Sequence, residues 1–134
     1  MKVKIIILIF LSLLLFKNAH AQNKINPSDF IKYSEQIFDA LDKAEAVFLN
    51  TDSSEQDARK SILELDIALK KYDRFGKNVW KDKLPQAIRA SIVSARIDYD
   101  MLLMTKETKY LDKANKEATL ARDNFNKYKT INKK

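Results

Sequence analysis

The chain of 134 residues contains no cysteine, one glycine, two prolines, one tryptophan and one histidine. Without cysteine there is no disulfide, no thiolate nucleophile and no haem attached through a Cys-x-x-Cys-His motif. The single histidine, His20, falls in the N-terminal segment 1–21, which reads as a removable signal. Lys2 and Lys4 give it a positive start, Ile5 to Phe16 is an apolar run broken only by Ser12, and Ala19-His20-Ala21 is a small-x-small cleavage site before Gln22. The apolar run is shorter than the roughly 20 residues a membrane span needs. No later segment is apolar enough to span, and no cysteine follows the run to carry a lipid.

The expected product, residues 22–134, therefore has neither histidine nor cysteine. That excludes Ser-His-Asp and Cys-His catalysis and histidine-based zinc sites. With Gly76 the lone glycine, there is no glycine-rich phosphate loop. No cofactor is expected. The compartment implied is the periplasm or the exterior of the cell.

Scarcity of glycine and proline also argues against a β-rich fold, which needs turn residues. What is abundant, Lys, Ala, Leu, Asp and Glu, suits helices. Asn26-Pro27 reads as an N-cap followed by a pre-set first helical residue. From there Phe30, Ile37, Leu41, Ala44 and Phe48 recur at helical spacing. Asn50 to Ser54 breaks the pattern, and Ser53 with Gln56 fits a capping box. Ala58, Ile62, Leu65, Leu69 and Tyr72 mark a second helix, ending near Phe75 with Gly76 as a left-handed terminator. A linker from Lys77 to Leu84 leads to Pro85. The third stripe is Ile88, Ile92, Ala95, Tyr99 and Leu102, widened by Val93, Ile97 and Met104. Leu111, Ala114, Ala118, Ala121, Phe125 and Tyr128 mark the fourth; either Thr105 or Thr108 caps a turn between the two, or the third and fourth stripes belong to one long bent helix.

The reading is an all-α, four-helix, two-hairpin domain spanning residues 22–134, either a closed bundle or a short open stack of hairpins. A shift of fifty-six positions overlays the second stripe on the fourth. It also places Ile37 on Val93, Leu41 on Ile97 and Phe48 on Met104, as two related hairpins would.

Charge is unevenly distributed. Loss of Lys2, Lys4 and Lys17 with the signal lowers the net charge from +7 to +4. Residues 22–69 carry −5, residues 70–83 carry +4, residues 84–123 carry +1 and residues 124–134 carry +4. The candidate recognition residues are Lys70, Lys71, Arg74, Lys77, Trp80, Lys81 and Lys83, interleaved with Tyr72 and Phe75. Cations attract anionic partners, and exposed aromatics add stacking or apolar anchoring. Cations at a helix C-terminus also offset its macrodipole, and Trp80 can cap the core. The C-terminal lysines read as a frayed solubilising tail.

Glu35, Asp39 and Asp42 share a helix face, which reads as solvated and laced with helix-spaced ion pairs. Asp66, Asp98 and Asp100 are the carboxylates nearest an apolar stripe, the only basis for a carboxylate hydrolase acting on envelope glycans; pairing with Arg96 is the simpler role. Met101 and Met104 read as core filling. The expected function is a small exported, non-catalytic binding module. Its partner is another exported or envelope protein or, through segment 70–83, an anionic glycan or lipid surface. Export argues against nucleic acid, and the charge split offers weak self-association between copies.

Overall fold

In the computed structural model, residues 26–76 and 82–133 are described, with the Phe75 side chain left aside. The signal-peptide reading of residues 1–21 and the candidate residues Lys77, Trp80 and Lys81 lie outside the described residues.

The first helix, α1 (Pro27–Leu49), begins where the sequence places it. The Asn26 side chain accepts a hydrogen bond from the Ser28 backbone N–H at 3.1 Å, and Pro27 occupies the first helical position. Phe30, Ser34, Ile37, Phe38, Leu41 and Ala44 form its buried stripe. Asn50 then closes an Asx turn, its Oδ1 accepting from the Asp52 N–H at 3.0 Å.

The second helix, α2 (Glu55–Gly76), is capped one residue later than the sequence suggests. Ser54 and Asp57, not Ser53 and Gln56, form the reciprocal box. The Asp57 N–H donates to Ser54 Oγ at 3.1 Å, and the Ser54 N–H donates to an Asp57 carboxylate oxygen at 3.1 Å. Gly76 is not a left-handed terminator either. It is the last residue of the helix and is buried, and no described glycine has a positive φ.

The third helix, α3 (Lys83–Thr105), takes in Lys83 and Leu84 from the expected linker, with Asp82 at the N-cap and Pro85 in the first turn. It ends at Lys106, whose φ of 61° is the one positive value among the described residues. Thr105 Oγ1 donates to the Met101 carbonyl at 2.8 Å and accepts from the Glu107 N–H at 3.2 Å, so the turn is tied by a side chain. The fourth helix, α4 (Lys109–Ile131), starts after Thr108 and is distinct from α3. It is helical through Lys127, Lys129 and Ile131, so most of the expected frayed tail is ordered helix.

The helices contact one another as a ring: α1 with α2, α2 with α3, α3 with α4, and α4 back to α1. Phe30 meets both Tyr72 of α2 and Tyr128 of α4, while Phe38 stacks on Phe125 at 4.9 Å. These pairings run the neighbours antiparallel, and the α4–α1 seam closes the ring. The fold is thus a closed four-helix bundle rather than an open stack.

Ile37, Leu41, Leu65, Ile88, Ile92 and Tyr99 are at most 1% exposed and fill the centre. Burying each such aliphatic side chain contributes about 1.5–3 kcal/mol. Ala114, Ala118 and Ala121 are fully buried, and their methyl groups let neighbouring backbones approach closely. The α3–α4 contact is the most extensive in the bundle.

The fifty-six-residue overlay survives in half the molecule. It carries the bounds of α1 onto those of α3, and the buried Ala58, Ile62, Leu65 and Leu69 onto the buried Ala114, Ala118, Ala121 and Phe125. It fails on the α1–α3 core face. Ile37 and Leu41 are buried, whereas Val93 is only partly buried and Ile97 and Met104 are exposed. Leu103, not Leu102, completes the α3 stripe. Met104 is therefore surface rather than core filling.

Candidate functional site: the basic end of the bundle

The antiparallel ring gathers four helix termini at each end. One end holds the start of α1, the end of α2, the start of α3 and the end of α4. The Phe30 contacts to Tyr72 and Tyr128 fix this arrangement, and Tyr128 of α4 senses the charge of Asp82 ahead of α3. The described parts of the two basic stretches of the sequence, residues 70–76 with 82–83 and residues 124–133, therefore share one end. Lys70, Lys71 and Arg74 are exposed on the last turns of α2, and Lys83 is exposed on the first turn of α3. Lys127 and Lys133 are exposed on and after the last turns of α4. Lys129 lies over the Phe125 ring, 4.6 Å from its centroid.

The C-termini of α2 and α4 both lie here, and their partial negative charge offsets part of the field. Among the described residues, the carboxylates at this end are Asp29, Asp82 and Asp73. Asp73 is held by Arg89, whose Nε and Nη2 donate to its two oxygens at 2.6 and 2.8 Å. That pairing raises the Arg89 pKa. No ion pair or hydrogen bond joins the side chain of Lys32, Lys70, Lys71, Arg74, Lys83, Lys127 or Lys133 to any described residue.

Tyr72 belongs to the core and not to an exposed aromatic patch. It is 4% exposed, its hydroxyl lies 3.2 Å from Ser34 Oγ, and burial drives its phenol pKa well above the ordinary tyrosine value. Among the described residues, the large exposed apolar group at this end is Ile131 in the last turn of α4, 64% exposed. The stripe reading did not single it out, although Lys127 four residues earlier shares its face.

The remaining charge is organised between the hairpins. Asp73 pairs with Arg89, Asp66 with Arg96, Glu55 with Lys106, and both Asp42 and Glu45 with Arg122. In every one of these the carboxylate comes from the α1–α2 hairpin and the cation from the α3–α4 hairpin or its turn. The charge split of the sequence is thus met in part within one chain.

Other sequence candidates fall elsewhere. Asp66 and Asp100 both face Arg96, at 2.7 and 3.6 Å. Partial burial raises the Asp98 pKa, against the opposing pull of Lys113. Asp42 leaves the acidic face of α1 for Arg122, and the described residues contain no group of three or more carboxylate, histidine or cysteine side chains placed to hold a metal. A groove of about 280 Å³ lies between α1 and α2, lined by Tyr33, Ala40, Lys43, Glu64, Ile67 and Lys71 among others. Leu63 and Ile67 are exposed on α2, with Ile67 in this groove. No described helix is long and apolar enough to cross a membrane. Comparison with known proteins finds no matching family model, no matching curated protein and no matching solved structure.

Proposed function

We propose that this protein is a small, non-catalytic helical binding module whose recognition surface is the basic end of the bundle and whose partner is anionic. The observation that supports it is the convergence of the described parts of two separate basic stretches on one end, with Lys70, Lys71, Arg74, Lys83, Lys127 and Lys133 outside any described ion pair. The long-range field of such a patch steers an oppositely charged partner and raises its association rate.

Binding to soluble polyglutamate, titrated against salt, tests the reading. Affinity is expected to fall as salt rises, and to be lost when Lys70, Lys71, Arg74 and Lys83 are changed to serine. Unchanged affinity in that variant moves the contact away from this end. The second reading is then favoured: a partner protein seated on the outer face of α2, where Leu63 and Ile67 are exposed beside the α1–α2 groove.

Export is part of the proposal. It is supported by Lys2 and Lys4, the Ile5–Phe16 run and Ala19-His20-Ala21. N-terminal sequencing of protein from envelope and medium fractions checks it, with Gln22 the expected first residue.

A further inference from the structure

We infer that the anionic partner is a lipid surface bearing negatively charged headgroups, on which the bundle docks end-on with Ile131 entering the boundary between headgroups and acyl chains. This rests on the reading that the basic end is the recognition surface.

The kind of cation left free supports it. Arg89, Arg96 and Arg122 are all committed to carboxylates across the hairpin seams, and Arg59 is held by Glu55. Among the described residues, the unpaired cations at the basic end are six lysines, Lys32, Lys70, Lys71, Lys83, Lys127 and Lys133, with Arg74 the one guanidinium. An ammonium on a flexible stem is a point charge without the fixed fork that matches a particular carboxylate. Protein–protein interfaces are enriched in arginine and depleted in lysine. A headgroup layer makes no such directional demand and attracts each cation that comes within a Debye length.

The layout fits as well. The cations belong to four different helix termini and spread over an end about 20 Å across, two helix diameters, rather than lining a cleft. The unpaired carboxylates described among them are Asp29 and Asp82, too few to cancel the field. Ile131 stands 64% exposed between Lys127, one turn before it, and Lys133, two residues after it. An aliphatic side chain flanked by lysines at a helix end is suited to the membrane interface, where the apolar group enters and the ammonium groups stay at headgroup level.

Co-sedimentation of the purified protein with phosphatidylcholine vesicles, with and without phosphatidylglycerol, tests the inference, alongside soluble polyglutamate. Binding is expected only with phosphatidylglycerol present. Changing Lys70, Lys71 and Arg74 together to serine should weaken it on the order of 100-fold, about 5-fold for each cation. Ile131→Ser should weaken it roughly 5-fold while leaving polyglutamate binding and the helical circular dichroism unchanged. If polyglutamate binds and anionic vesicles do not, or if Ile131→Ser leaves vesicle binding intact, the lipid assignment is overturned while the anionic-partner reading stands. If neither is bound, both are overturned.

Discussion

Arg96 grips Asp66 across the α2–α3 seam with two parallel hydrogen bonds, Nε to Oδ1 at 2.7 Å and Nη2 to Oδ2 at 2.9 Å. The two side chains are only 27% and 31% exposed, so the pair is shielded more than an ordinary surface bridge. Arg96→Ala is expected to destabilise the bundle by about 1–2 kcal/mol. A double-mutant cycle with Asp66→Ala, followed by urea unfolding, should show a coupling of about 1 kcal/mol. Additive single effects would mean the pair contributes nothing as a pair.

Tyr99 is fully buried in the centre of α3 and its ring stacks on Phe48 at 4.5 Å, yet its hydroxyl has no described partner. The ring stabilises and the hydroxyl does not. Tyr99→Phe should therefore leave the melting temperature unchanged or raise it, by up to about 1 kcal/mol of stability. Tyr72→Phe should go the other way and cost about 1 kcal/mol, because the Tyr72 hydroxyl is paired with Ser34. Thermal unfolding of the two variants side by side distinguishes the cases.

The same two tyrosines set an alkaline limit. Burial raises both phenol pKa values far above the ordinary tyrosine value of 10.0. The folded state holds these protons more tightly than the unfolded chain does. This stabilisation is fully present below about pH 10 and is lost as pH rises from there toward the folded values. Each tyrosine that stays protonated on folding should lower stability by about 1.4 kcal/mol per pH unit in that range. Urea midpoints measured from pH 7 upward should be flat with respect to these groups until about pH 10 and fall beyond it. The double variant Tyr72→Phe/Tyr99→Phe should remove most of that fall.

Ala118 sits fully buried on the α4 stripe, between Ala114 and Ala121. Ala118→Leu has no room there and should cost about 1–3 kcal/mol or more through displaced backbone and forced rotamers. Leu120, two residues on, is 48% exposed, and Leu120→Ala should change stability by less than about 0.5 kcal/mol. Chemical denaturation reads both. Equal effects would contradict the packing described for α4.

The helices were legible because helix formation is written in local spacing. Asn26-Pro27 marks the start of α1 without reference to any other part of the chain, and the stripe from Ala58 to Tyr72 is buried along its whole length. Where local cues were ambiguous, the reading slipped. Ser53 and Ser54 are equally good caps by type, and the Asn50–Asp52 turn decides that Ser54 stands opposite Asp57. In α3 apolar residues occur on several faces, so spacing alone left Leu102 and Leu103 undistinguished and put Ile97 and Met104 on the wrong side.

The sequence by itself determined the class of the fold, the start of α1 and the break after it, and the chemistries that a chain without cysteine and nearly without histidine cannot perform. These follow from composition and from contacts three or four residues apart. Only the tertiary structure decided that the ring closes, that the first hairpin sets carboxylates against cations of the second, and that the described residues of 70–83 and 124–134 meet at one end. Those outcomes depend on which helices become neighbours. That choice is made by the packing of Phe30 against Tyr72 and Tyr128 and of Phe38 against Phe125, residues that periodicity places on a face without saying which face they meet.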